Sequence, residues 1–143
     1  MPQIPTLTKQ EIAEHQLDSA IRLLVDEGDV IAAITLAGAA EEILGKLLEA
    51  RGEKHSLQDF IEECMAFGYQ LYGERWPSKM FAEMENYFRN NLKHLGDGAP
   101  LEVPSEAAIG IIERTTQNLF RLSGRYPTRI QEFWAYADSP GSA

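Results

Sequence analysis

Arg89-Asn90-Asn91-Leu92-Lys93-His94 gathers more chemistry than any other six residues of this chain. A guanidinium offers a rigid fork of donors to a phosphate oxygen. An imidazole gives or takes a proton near neutral pH. An amide within one helical turn of that imidazole can orient it. Arg89, Asn90 and His94 are therefore the candidate catalytic residues, for proton transfer at a charged phosphoryl centre. Lys93 and Asn86, the latter one turn before Asn90, are weaker candidates for holding the substrate.

The run ends a segment with helical periodicity. Ser78 can cap this fourth helix, and Phe81, Met84, Phe88, Leu92 and Leu95 recur as its inner stripe, before Gly96-Asp97-Gly98-Ala99-Pro100 closes it. On an ideal wheel the stripe centres on Phe88 and Leu92, with Asn86, Asn90 and Lys93 opposite. Arg89 falls on one shoulder and His94 on the other. A site using both needs a bend in the helix or a second subunit that supplies one half.

The remaining elements are helices as well. Thr8-Lys9-Gln10-Glu11 is a capping-box pattern, and Ala13, Leu17, Ala20, Ile21 and Leu24 follow at helical spacing. Gly28 breaks this helix and Asp29 can cap the next, about Val30 to Arg51. Val30 to Ala40 holds one polar side chain, Thr35, so this helix is expected at the centre. Ala37-Gly38-Ala39-Ala40 allows a neighbour to approach closely, and Gly52 is a plausible stop. Glu41 or Glu42, if buried there, needs a partner such as an arginine.

Ser56 is the expected cap of a third helix to about Leu71, with Leu57, Phe60, Ile61, Cys64 and Phe67 on its inner side. Gly73 to Pro77 is a loop. Ser105 is the expected cap of a fifth helix to about Leu122, with Ala108, Ile111, Ile112, Thr115, Leu119 and Leu122 inward. Gly124 and Pro127 end it, and Thr128 starts a short last helix carrying Phe133, Trp134 and Tyr136. These aromatics suit either a plug at the bundle end or an anchor for a partner. No hairpin signal, internal repeat or low-complexity segment competes. The expected fold is all-α: an up-and-down bundle of about five main helices and a short C-terminal helix. It forms one domain over 1–143, frayed at about 1–7 and 138–143.

The chain has 143 residues, 44% hydrophobic and 24% charged, enough for one ordinary globular core. No apolar stretch is long enough to span a bilayer, so no membrane partner is expected. The first residues lack the basic and apolar blocks of a signal peptide, which makes the cytoplasm the expected location. Cys64 stands alone and forms no intrachain disulfide; it reads as a small packed hydrophobe.

Net charge is −9, against a general nucleic-acid binder, which needs clustered bases. Residues 1–74 hold 14 acids and 5 bases, and residues 75–143 hold 8 of each. The acidic excess thus lies in the first half and the Arg89–His94 run in the neutral half. Arg114, Arg121, Arg125 and Arg129 read as a solvated face, or as a basic strip toward RNA. Glu11, His15 and Asp18 share a face of the first helix, but the Glu-x-x-His pairs of metal-binding bundles are missing, so no metal is expected. With no P-loop or dinucleotide glycine pattern, no nucleotide cofactor is expected either. His55 reads as an exposed loop residue.

At Arg89, Asn90 and His94 the chain resembles the HEPN family, small all-α domains with an Arg-x(4–6)-His motif often followed at the Arg by Asn, Asp or His. The helical layout agrees, including the small-residue helix Ala33–Leu48 with Glu41-Glu42. The resemblance implies a homodimer whose two motifs meet in a cleft and cleave RNA without a metal, the ribose 2′-hydroxyl being the nucleophile. His94 would then be the acid/base, Arg89 would stabilise the phosphate and Asn90 would position the histidine, as in a toxin-like protein with a cognate protein partner. Many active members carry Gly right after the histidine, where this chain has Leu95. The stretch also resembles uncharacterised bacterial proteins built around Asn-x-x-Lys-His, here Asn90 to His94, in which Arg89 is incidental. The alternative from another class is a non-catalytic interaction or scaffold protein of the same fold. In that case Arg89, Lys93 and His94 are cations ending a helix.

Overall fold

The computed structural model describes residues 2–139, and among these all regular structure is helical. Seven helices follow in order: α1 (Lys9–Glu27), α2 (Val30–Ala50), α3 (Ser56–Tyr72), α4 (Ser78–Glu85), α5 (Tyr87–Lys93), α6 (Ser105–Ser123) and α7 (Ile130–Asp138). Residues 2–7 are exposed and irregular. Met1 and residues 140–143, where fraying was also expected, lie outside the described residues.

Three helices make the core. α1 and α6 both pack on α2, and their apolar stripes interlock: Leu17, Ile21 and Leu24 from α1, Ile34, Leu44 and Leu48 from α2, Ile112 and Leu119 from α6. α2 is central, as its near-continuous apolar run requires, and buries Ala33, Ala37, Gly38, Ala40 and even Glu41. Phe133 of α7 is fully buried and plugs one end, whereas Trp134 stays 39% exposed, against Tyr126. No helix of the described residues is long and apolar enough to cross a membrane.

Local signals set the first two helix starts. Thr8 and Glu11 form the reciprocal capping box, and Asp29 Oδ1 accepts the Ala32 N–H at 3.0 Å. Gly28, at φ 65°, ends α1 in the left-handed conformation that a side chain resists. Three later caps differ from expectation. His55, not Ser56, caps α3. Its Nδ1 accepts the Gln58 N–H while the Gln58 side chain accepts the His55 N–H. Ser56 is instead buried against α6. Its N–H donates to Asn118 Oδ1 at 2.8 Å and its hydroxyl to the Arg114 carbonyl at 2.9 Å. Before α4 and α6 the cap positions are Pro77 and Pro104, so Ser78 and Ser105 are first helical residues and not caps.

The fourth helix expected from Ser78 to Leu95 is two helices. α4 stops at Glu85, Asn86 turns the chain (φ −97°, ψ 6°), and α5 runs only to Lys93. The cause is a distant side chain: Arg114 Nη1 reaches the Glu85 carbonyl at 3.4 Å and Arg114 Nη2 the Asn86 Oδ1 at 3.3 Å. A side chain inserted into a helical ladder kinks it, and asparagine is a weak helix former.

The third helix departs from its expected role too. Of its supposed inner stripe, Leu57, Ile61 and Cys64 are half-buried, but Phe60 is exposed and Phe67 is 61% exposed. α3 buries only Ser56 and Gly68, and α4 and α5 bury no residue fully. Residues 56–95 thus form an arm beside the three-helix core. Its own small cluster has Trp76 lying on Gly68 and beside Tyr72 and Phe81.

Candidate functional site

Arg89 points into the molecule. A Cβ on Gly38 would lie 2.7 Å from both Cγ and Cδ of Arg89, so the glycine in the small-residue segment of α2 makes room for the arginine stem. The guanidinium then stands 3.8 Å from Glu41 Oε1. Glu41 is only 4% exposed, and Arg114 holds its other oxygen: Nε donates to Oε2 at 2.8 Å and Nη2 lies at 2.7 Å from the same oxygen. Arg114 Nη1 continues to Glu85 Oε2 at 2.7 Å. Two guanidiniums and two carboxylates thus alternate across α2, α4, α5 and α6, and their formal charges cancel. Burial of Glu41 is tolerated because both its oxygens face cations.

The expected arginine partner of Glu41 is therefore present, and it is chiefly Arg114. That residue, 9% exposed, does not belong to a solvated face. The others of the supposed basic strip are paired: Arg121 with Asp59, Arg125 with Glu14, and Arg129 with Asp26 and Glu132. The Arg129 hydrogen bond holds the Asp26 carboxyl below the usual carboxylate range against an opposing desolvation, with lesser Coulombic help from Arg129 and Arg22. The strip is stitched to acidic partners and does not stand open as a basic track.

Beside the buried network lies a cavity of about 170 Å³ that Arg89 shares with Glu41, Glu42, Glu49, His55 and Asn86. His55 is not the exposed loop residue expected. Its side chain is 16% exposed and packs on Gly45, and its Nε2 lies 3.1 Å from Glu49 Oε1. Because Nδ1 accepts the Gln58 N–H, the neutral ring carries its proton on Nε2 and donates it to Glu49. Both ring nitrogens are engaged, so this histidine is a cap and not a free acid/base.

His94 is elsewhere in chemical terms. It is the exposed C-cap of α5, in extended backbone (φ −124°, ψ 145°), and it does not line the cavity that holds Arg89. The bond between Asn90 and His94 runs through the backbone, from the His94 N–H to the Asn90 carbonyl at 3.0 Å, and not from amide to ring. Asn90 and Lys93 are exposed. Asn86 is turned inward, accepting from Arg114 and lining the cavity. The structure thus brings together Arg89 and Asn86 but keeps Asn90, Lys93 and His94 on the outer side.

Reading the sequence missed Arg114, Asn118 and His55. A signal existed for the first two. Arg114 and Asn118 lie three and seven residues after Ile111, on the face of α6 that turns inward, opposite a glutamate buried in an apolar helix. For His55 no local signal marks it as a cap, since its partners depend on α3 starting one residue earlier. Glu11, His15 and Asp18 do not converge: among the described residues no three His, Cys, Asp or Glu side chains group to hold a metal ion. Burial chiefly, and Glu14, raise the Asp18 carboxyl, while His15 lowers it in part. Burial foremost, then Glu85 and Glu63, pushes the half-buried Cys64 thiol up, away from the thiolate a nucleophile needs.

Comparison with family models, with curated proteins and with solved structures finds no match to this chain.

Proposed function

We propose that this chain is a non-catalytic helical interaction domain of HEPN-like layout, working by association with a protein partner. The observation that carries this reading is the arm. Nine of the fifteen large apolar side chains left exposed in the described residues belong to residues 56–95, although these make up little more than a quarter of the chain. Scattered exposed hydrophobes are ordinary, but such a concentration marks an interaction surface. The charges agree. Arg89 and Lys46 share a cavity with Glu41, Glu42 and Glu49, whose carboxylates outnumber the two cations and make it a poor receptor for a phosphodiester.

A second reading has one specific observation in its favour. Among the described residues Arg89 has an ion-pair contact at 3.8 Å but no hydrogen bond, so its fork of donors is unspent. Asn90, Lys93 and His94 meanwhile stand open to solvent. A homodimer that brought His94 of one subunit to Arg89 of the other would have the parts of a metal-independent endoribonuclease, toxin-like and acting on RNA.

Cleavage of mixed RNA in EDTA by wild type and by His94→Ala decides between them. Equal background from both proteins supports the interaction reading. Wild-type activity lost in the variant, with cyclic-phosphate product ends, overturns it in favour of the nuclease.

A further inference from the structure

The cavity beside Arg89 is lined by a buried donor that nothing satisfies. Asn118 is 1% exposed and belongs to the cavity wall. Its Oδ1 accepts the Ser56 N–H, which fixes how the amide is turned, and its Nδ2 has no hydrogen-bond partner. A buried unpaired donor is costly and rare in a folded chain, and it calls for an acceptor. Arg89 makes no hydrogen bond either. Glu42 and Lys46, exposed on the same wall, have no partner among the described residues. The other carboxylates are answered, Glu41 by Arg114 and Glu49 by His55. The unspent groups are thus three donors, two of them cationic, and one carboxylate. We infer that this cavity binds a small zwitterion, an α-amino acid with a short side chain, its carboxylate on Arg89 and Asn118 Nδ2 and its ammonium on Glu42.

Charge selects this ligand. The excess of carboxylates on the wall repels a multiply charged anion. A simple carboxylate would answer Arg89 and Asn118 but leave Glu42 without a donor, and a simple amine would do the reverse. A molecule carrying both charges answers both ends, through charge-assisted hydrogen bonds, and adds no net charge. Size sets the side chain. A water takes about 30 Å³, so the cavity of about 170 Å³ has room for about five or six non-hydrogen atoms, near the size of alanine. The wall also joins two regions: Glu42 and Asn118 stand on α2 and α6 of the core, and Arg89 stands on α5 of the arm. A bound amino acid therefore clamps the arm to the core. This inference goes beyond the interaction reading and stands without it.

Titration with L-alanine, propionate and L-alaninamide, followed by two-dimensional amide NMR, tests this. The two analogues keep the size of alanine and each lose one charge. Alanine is expected to saturate with a Kd below about 1 mM, shifting the amides of Gly45, Arg89 and Asn118, and each analogue to bind at least about tenfold more weakly. Glu42→Gln, at an exposed position that keeps the fold, should weaken alanine binding about tenfold. Arg89→Gln should weaken it at least as much, and Glu27→Gln, exposed on α1 outside the cavity wall, should leave it unchanged. No saturable binding of alanine up to about 20 mM overturns the inference, and the cavity then holds water alone. So does an analogue that binds as tightly as alanine, alanine binding unmoved by Glu42→Gln, or shifts confined to residues outside the wall. Amide hydrogen exchange needs no variant: slower exchange in α5 at saturating alanine supports the clamp, and unchanged exchange there overturns it. His94-dependent RNA cleavage would remove the interaction reading and leave this binding untouched.

Discussion

The α1–α2–α6 core and the α3–α5 arm have similar helix-forming sequences and opposite fates. Each core helix finds an apolar partner, and side chains such as Leu17, Leu44 and Ile112 lose all contact with water. The arm helices carry comparable stripes, yet Leu95 remains 86% exposed and α4 and α5 bury nothing completely. Polar contacts tie the arm to the core, Ser56 to α6, Arg114 to Glu85 and Asn86, and Arg89 to Glu41, together with Phe88 and Leu92 of α5, which pack half-buried against it. Amphipathic periodicity says that a helix has a face to bury. It does not say that the face is buried within the same chain.

The largest effect should come from the ionic joint between the two regions. Arg114→Met leaves Glu41 in the core with only the distant Arg89 cation and should cost about 3–5 kcal/mol, read as a lowered denaturant midpoint. Glu41→Gln with Arg114→Met restores part of it if the pair acts as a unit, and a full additive loss would break that account. Next comes the core itself: Leu44→Ala, fully buried, should cost about 2–5 kcal/mol. Gly38→Ala crowds the Arg89 stem and should cost about 1–3 kcal/mol, with Arg89→Ala relieving most of that penalty in the double variant. Phe67→Ala on the arm should change the unfolding free energy of the monomer by no more than about 0.5 kcal/mol. A loss of several kcal/mol there would mean that the arm is core.

The smallest expected effect is electrostatic and falls outside the arm. Asp26 has its folded pKa lowered by Arg129, so the unfolded chain binds the proton more readily. The resulting stabilisation is complete above the ordinary carboxylate value and fades as pH falls through the folded one. Asp26→Asn should lower stability slightly at neutral pH, leave it unchanged below the folded pKa, and so flatten the acid side of the stability profile. A loss at strongly acid pH as large as at neutral pH would refute the linkage. The pair is exposed, so the effect should shrink with salt.

The all-α class, the central place of α2, the capping box at Thr8 and the breaks at Gly28, Gly73 and Gly124 were legible in the sequence. All depend on residues close together along the chain. The Glu41 ion pair was legible in kind, because a carboxylate in an apolar helix demands a cation. Its identity was not, because Arg114 lies 73 residues away. The continuous fourth helix was a sound local reading that failed for the same reason: Arg114 competes for the Glu85 carbonyl from across the bundle. The candidate site divided likewise. Spacing alone puts Arg89 and His94 on different shoulders of a helix, and both the inward turn of Arg89 and the exposure of His94 follow from contacts with α2 and from the end of α5. Sequence by itself determined which segments are helices and which faces are apolar, since backbone hydrogen bonds and periodicity are local. Only the tertiary structure decided which of those faces are covered and which charges meet, since burial depends on residues the chain brings together from far apart.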